Sequence, residues 1–110
     1  MGEQLENIDL TSVQLNEVKK LLKCYLPNTE VWAYGSRVKF TAKTYSDLDM
    51  VAFSSSEQAA AIYNLKEAFE ESNLPFRVDL FVWDEVPEQF HTNISSERMV
   101  LQKSNKVRLD

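Results

Sequence analysis

Gly35-Ser36 and Asp47-Leu48-Asp49, separated by ten residues, carry the clearest chemical signal in this chain. Gly35 is the one glycine beyond Gly2. It closes the apolar run Val31-Trp32-Ala33-Tyr34, where a backbone must turn tightly or approach a ligand closely. A following turn of helix would aim main-chain N–H groups at phosphate oxygens, and the Ser36 hydroxyl can add a hydrogen bond. Asp47 and Asp49 open a second apolar run. Alternate residues of a strand share a face, about 7 Å apart, so these carboxylates point one way and Leu48, Met50 and Ala52 the other. Asp79 lies within the apolar run Val78–Val82, where an aspartate needs a reason. If these two strands are neighbours, three carboxylates converge. Like charges so close are costly unless protonated or bridged by cations. Hard oxygen ligands suit Mg²⁺, completed by substrate phosphates and water. Two such ions would hold the attacking and leaving oxygens of an in-line phosphoryl displacement. Arg37 is the candidate for neutralising the leaving pyrophosphate. Either pair alone is weak evidence, since Asp-x-Asp is common and Gly-Ser is usually a turn; the joint spacing carries the reading.

Other reactive side chains read as structural. Cys24 lies near the apolar stripe of a helix and is expected in the core. His91 is the one histidine, which rules out a histidine-based metal cluster, and it is expected on a helix surface. Trp32, Trp83 and Phe81 are expected to pack on the sheet rather than stack on bases. Tyr45 is near enough to Asp47 to touch a nucleobase but is assigned no role.

The elements that must position these groups follow from pattern. Thr11 with Gln14 forms a capping box opening a helix, whose Val18, Leu21, Leu22, Tyr25 and Leu26 keep helical spacing until Pro27-Asn28 stops it. Residues 29–34 read as a short strand, 36–41 as a turn of helix and 47–53 as a second strand. Ser54 with Glu57 suggests another capping box, opening a helix to about Ser72 with Ile62, Leu65 and Phe69 as its apolar stripe. Residues 76–83 are the clearest strand, rich in aromatic and β-branched side chains. Asp84 is expected to cap a short helix over 87–94, and the last residues carry no clear pattern. The order predicts an α/β (α+β) fold, a small mixed sheet with helices packed on it. Without repeats or a linker-like segment, residues 1–110 read as one domain.

Composition narrows the function classes. The net charge of −5 argues against unspecific nucleic-acid binding, although metal ions could offset the carboxylates towards a nucleotide. Basic residues gather at Arg37, Lys39 and Lys43 and at Arg98, Lys103, Lys106 and Arg108; the second group reads as solvated surface. The single cysteine favours a reducing compartment. Neither a signal peptide nor a membrane span is visible, and Glu6 stands where a myristoylation signal after Gly2 needs Ser or Thr. The expectation is a cytoplasmic protein.

The stretches 31–37 (Val-Trp-Ala-Tyr-Gly-Ser-Arg), 45–49 (Tyr-Ser-Asp-Leu-Asp) and 77–80 (Arg-Val-Asp-Leu) resemble the minimal nucleotidyltransferases of the DNA polymerase β superfamily. The element order agrees over essentially the whole chain. The resemblance implies a DNA polymerase β-like nucleotidyltransferase fold, metal ligation at Asp47 and Asp49, and triphosphate binding at Gly35 and Ser36. It assigns to Asp79 the third metal ligand and the activation of the attacking hydroxyl. Small prokaryotic members act as antitoxins beside a helical HEPN-domain RNase toxin, transferring AMP from ATP to a tyrosine of that toxin. The resemblance therefore implies Mg²⁺, ATP and a HEPN-type partner. Two alternatives stand beside it: an antitoxin that masks its partner without catalysis, and a transferase for a small molecule such as an antibiotic hydroxyl. The intact aspartates favour an enzyme. A polymerase-like core that uses nearly all 110 residues favours an acceptor docking from outside, although a homodimer could build an acceptor pocket. An exposed sheet edge or the C-terminal segment could also pair with another chain.

Overall fold

A computed structural model describes residues 8–104. The first helix, α1 (Ser12–Tyr25), starts as the capping box requires. The Gln14 N–H donates to Thr11 Oγ1 at 3.1 Å, and the Thr11 N–H donates to Gln14 Oε1 at 3.0 Å. Leu15, Val18 and Leu22 form its buried face, and the chain turns away at Asn28 in the left-handed region. Cys24 is exposed, not in the core; it falls on the solvent side of the α1 stripe. Strand β1 (Val31–Tyr34) leads through Gly35 into the one-turn helix α2 (Ser36–Lys39). Strand β2 (Leu48–Ala52), helix α3 (Ala59–Glu70) and strand β3 (Val78–Val82) follow.

Three details differ from the sequence expectation. The second capping box uses Ser55 and Gln58 instead of Ser54 and Glu57, and a 3-10 turn over Ser56–Gln58 precedes α3. The reason is that Gln58 works in two directions. Its Oε1 accepts from the Ser55 N–H at 2.8 Å while its amide donates to Thr29 Oγ1 at 2.8 Å, which a glutamate cannot do. Ser54 is instead buried. After β3, Asp84 does not cap a helix: 3-10 turns at Trp83–Glu85 and Glu88–Phe90 lead to α4 (His91–Glu97), later than expected. The chain then forms a fourth strand, β4 (Met99–Gln102), where no element was expected. Gln102 anchors it, donating to the carbonyls of Leu26 and Thr29, each at 2.7 Å.

Among the described residues the strands form one mixed sheet in the order β3-β2-β1-β4, with β2 and β3 parallel and the other pairs antiparallel. The α3 crossover is what allows the parallel pair. Helices α1 and α3 share one core with the sheet, built on Val18, Leu22, Val31, Leu48, Met50 and Leu65. The other face is partly covered. Trp32, Phe53 and Trp83 pack edge-on or tilted with ring centroids 4.5–5.6 Å apart, and His91 stacks on Trp83 at 3.8 Å. Trp32 and Trp83 thus pack as expected, whereas Phe81, on the edge strand β3, stays 46% exposed. Lys106, Arg108 and the Gly2–Glu6 stretch lie outside the described residues. Because the Gln58 amide links the start of α3 to the loop before β1, Gln58→Glu is expected to cost about 1 kcal/mol. Glu57→Ala should stay within about 0.5 kcal/mol in the same denaturant titration.

Candidate active site

The sheet register gathers the acidic groups. Tyr34 on β1 lies opposite Asp49 on β2, and Asp49 lies opposite Asp79 on β3, so one row across three strands carries a phenol and two carboxylates on the less covered face. Asp47 precedes β2 by one residue, two before Asp49, as strand parity requires. Arg77 reaches across to it: its Nη2 donates to Asp47 Oδ2 at 2.9 Å while its Nε meets Asp79 Oδ1 at 3.3 Å. The three expected carboxylates are therefore brought together, and the Arg77 guanidinium bridges two of them, Asp47 and Asp79, which also lie within hydrogen-bonding range of each other. Among the described residues no three His, Cys, Asp or Glu side chains close around a common point as metal ligands.

The electrostatic strain of this row is concentrated on its middle member. Burial, then repulsion from Asp79 and Asp47, pushes the Asp49 carboxyl up to about 6, with Arg77 opposing. Asp79 moves the same way, first through burial, against the pull of Arg77. Tyr34 is pushed up to about 12 by burial and by Asp49, Asp79 and Glu97. Such a site favours an incoming cation, and its hard oxygens are the donors that Mg²⁺ prefers. Arg77 is 70% exposed on its side chain, so its two bridges yield to a metal ion at little cost.

Gly35 is fixed by two constraints at once. Its φ of 87° with ψ of −155° is glycine territory, and a Cβ there would stand 2.6 Å from Asp49 Oδ2. The glycine is thus needed for chain geometry and for the seat of the Asp49 carboxylate. Its N–H donates to Glu97 Oε1 at 3.2 Å, and Glu97 Oε2 pairs with Lys39 Nζ at 3.3 Å. Glu97 is a fourth carboxylate that sequence reasoning missed, because it reaches the site from 62 residues away.

Arg37, the expected cation for the leaving pyrophosphate, is not presented at the surface of the site. Its guanidinium is buried and turned inward, donating to the carbonyls of Ser46 (3.1 Å), Asp9 (2.9 Å), Lys43 (3.3 Å) and Thr44 (2.9 Å). It also lies 4.1 Å over the Phe76 ring. Four of its five N–H donors are taken by these main-chain carbonyls. Lys39, two residues on and 53% exposed, is the cation of α2 that remains at the surface beside Gly35.

Comparison with known proteins agrees with this fold. The family described as "Polymerase beta, Nucleotidyltransferase" matches residues 16–107. The chain belongs to this family. It is 44% identical over 101 residues to the probable protein adenylyltransferase MntA of Haemophilus influenzae, a match spanning 91% of this chain and 89% of that one. In structure it resembles a toxin–antitoxin crystallised with AMP-PNP at a TM-score of 0.65, with 20% identity over 83% of this chain and 74% of that one. The toxin–antitoxin MntA-HepT superposes at 0.54, with 15% identity over 86% and 74%. These structural likenesses speak for the fold.

Two outcomes test how this nucleotidyltransferase holds its acidic row. The raised Asp49 value means that the folded state holds that proton more tightly than the unfolded chain. The stability this contributes is complete below the ordinary carboxylate range and is lost as pH rises through about 6. A rise from the ordinary 3.8 to about 6 corresponds to roughly 3 kcal/mol, and partial solvent screening reduces it to about 1 kcal/mol. Asp49→Asn should therefore stabilise the metal-free protein by about 1 kcal/mol at pH 7.5, and the gain should vanish near pH 4 in melts followed by circular dichroism. For the cation assignment, Arg37→Leu orphans buried carbonyls and should cost about 3 kcal/mol. Lys39→Ala should change stability by less than about 0.5 kcal/mol.

Proposed function

We propose that this chain is a Mg²⁺-dependent protein adenylyltransferase that silences a HEPN-type RNase toxin by transferring AMP from ATP to a tyrosine hydroxyl. The observation that carries the reading is the pairing of Asp49 with Asp79 across β2 and β3, beside a glycine whose missing Cβ makes room for the Asp49 carboxylate. Kinship with MntA, a probable protein adenylyltransferase, and a fold shared with a crystallised toxin–antitoxin support the acceptor and the biological role.

In this reading Asp47, Asp49 and Asp79 would hold two metal ions, and Gly35 and Ser36 would receive the triphosphate. Bound Mg²⁺ supplies charge neutralisation at the phosphates. Lys39 exchanges Glu97 for a phosphate oxygen, the role first expected of Arg37. Asp79 accepts the proton of the tyrosine hydroxyl, whose oxygen forms a bond to the α-phosphorus. The bond from that phosphorus to the bridging oxygen breaks, and pyrophosphate leaves with its electron pair. Asp79 suits this part because it lies on the edge strand and is 29% exposed on its side chain, within reach of an outside acceptor. Partner and enzyme would meet in the cytoplasm; no helix among the described residues is long and apolar enough to cross a membrane.

The decisive experiment separates transfer from masking. Incubated with wild type, ATP and Mg²⁺, the partner toxin should gain the mass of one or more AMP groups. The Asp47→Ala, Asp49→Ala double variant should bind the toxin yet slow the transfer by at least about a hundredfold, and it should fail to protect cells. Equal protection by the double variant, with no adduct, would replace the enzyme by a masking module.

A further inference from the structure

Glu97 ends α4, and its carboxylate is engaged at the turn where β1 passes into α2. Oε1 accepts from the Gly35 N–H at 3.2 Å, and Oε2 pairs with Lys39 Nζ at 3.3 Å. Among the described residues neither oxygen makes a further hydrogen bond or ion pair. With one oxygen on a main-chain donor and the other on an ammonium, the carboxylate uses the turn as a pair of phosphate oxygens would. The backbone beside it is held: Arg98 donates to the Ser95 carbonyl at 2.7 Å and lies 4.9 Å over the Trp32 ring. The side chain has room to move. It is 27% exposed and borders an open cavity of about 580 Å³, walled also by Tyr34, Phe81 and Phe90. Rotation about its own bonds carries the carboxylate into that space and leaves α4 in place.

We infer that Glu97 is a reversible plug of the phosphate end of the site, holding in the nucleotide-free protein the Gly35 N–H and the Lys39 ammonium that the triphosphate takes. The inference rests on the reading of Gly35-Ser36 as the triphosphate end and goes beyond it, by giving that end an internal competitor. Because the plug belongs to the chain, its effective concentration at the turn is high whatever the nucleotide concentration. The site therefore stays closed to weakly held anions and opens to one that also engages the metal ions. After transfer, the same carboxylate competes with pyrophosphate for Gly35 and Lys39 and hastens its departure. A purely structural tether between α4 and the turn would do neither. Removing such a tether would loosen the turn without raising its affinity for anions.

Calorimetry on the full chain with Mg²⁺ and inorganic tripolyphosphate tests this, comparing wild type with Glu97→Ala and Glu97→Asp. The aspartate variant keeps the charge but withdraws the carboxylate by one methylene. Glu97→Ala should bind about fivefold to tenfold more tightly than wild type, and Glu97→Asp about threefold. Gly2 is the one other glycine, so the Gly35 amide is readily followed by NMR. Glu97→Ala should shift it before any ligand is added, and tripolyphosphate should shift it in all three proteins, which also shows that they are folded. In the transfer reaction, pyrophosphate should inhibit Glu97→Ala at a severalfold lower concentration than wild type. A gain in Glu97→Ala with none in Glu97→Asp would reduce Glu97 to distant repulsion and overturn the plug. Equal or weaker binding by Glu97→Ala would overturn it too, and a Gly35 amide that still moves with tripolyphosphate would leave the phosphate site standing. If tripolyphosphate neither binds nor moves that amide in any of the three, the triphosphate reading fails and this inference falls with it.

Discussion

The buried guanidinium of Arg37 is the contact on which the site depends. It ties α2 to the loop that precedes Asp47, through the carbonyls of Lys43, Thr44 and Ser46, and to the segment before α1, through Asp9. The Asp9 N–H returns the contact, donating to the Arg37 carbonyl at 2.7 Å. A loop of this kind has main-chain acceptors and no strand or helix to satisfy them. One rigid fork answers four of them. The clamp therefore fixes the length of chain between Gly35-Ser36 and Asp47, and with it the distance from the turn to the first carboxylate. The ten-residue spacing read in the sequence is the span of a loop closed around one arginine.

The other constraint opposes folding. Setting Asp49 between Tyr34 and Asp79 in a half-buried row raises the proton affinity of all three. A sheet chosen for stability alone would carry apolar side chains at that register. The fold tolerates the row because its other face is a dry core, with Leu48, Met50 and Ala52 fully buried beneath the same stretch of β2. Arg77 on the solvent side and Lys39 on the turn side supply positive charge at the two ends. Local rule-breaking of this sort belongs to functional sites.

Much of this was legible in the sequence, for identifiable reasons. Strand parity is a strict period of two, so Asp47, Asp49 and the apolar positions between them sorted to opposite faces without any knowledge of the partner strands. The Thr11–Gln14 cap is equally local. Arg37 and Lys39 could not be told apart, since both follow Gly35 on a single turn of helix. Which one turns inward depends on Asp9 and the 43–46 loop, both tertiary. The second capping box slipped by one residue because Ser54-x-x-Glu57 and Ser55-x-x-Gln58 fit the same pattern, and the choice rests on Thr29. Strand β4 has four residues and little punctuation, and it takes its form from the open edge of β1. Glu97 was invisible because no local signal links it to Gly35.

Exposure across the acidic row orders its chemistry. Asp49 sits on an inner strand, where burial comes first in pushing its carboxyl up to about 6; Asp79 sits on the edge strand, 29% exposed on its side chain. On the proposed mechanism the inner carboxylate has most to gain from a cation, while the outer one keeps the freedom to accept a proton from an incoming hydroxyl and release it to water. The sheet order makes this division unavoidable. With β2 flanked by β1 and β3, Asp49 cannot be reached along the sheet from outside, and among the described residues β3 pairs with β2 alone, so Asp79 lies on the sheet's edge strand. On the proposed mechanism the triphosphate would lie at the turn after β1 and the acceptor at the β3 edge, with the half-buried Asp49 carboxylate between them in the sheet.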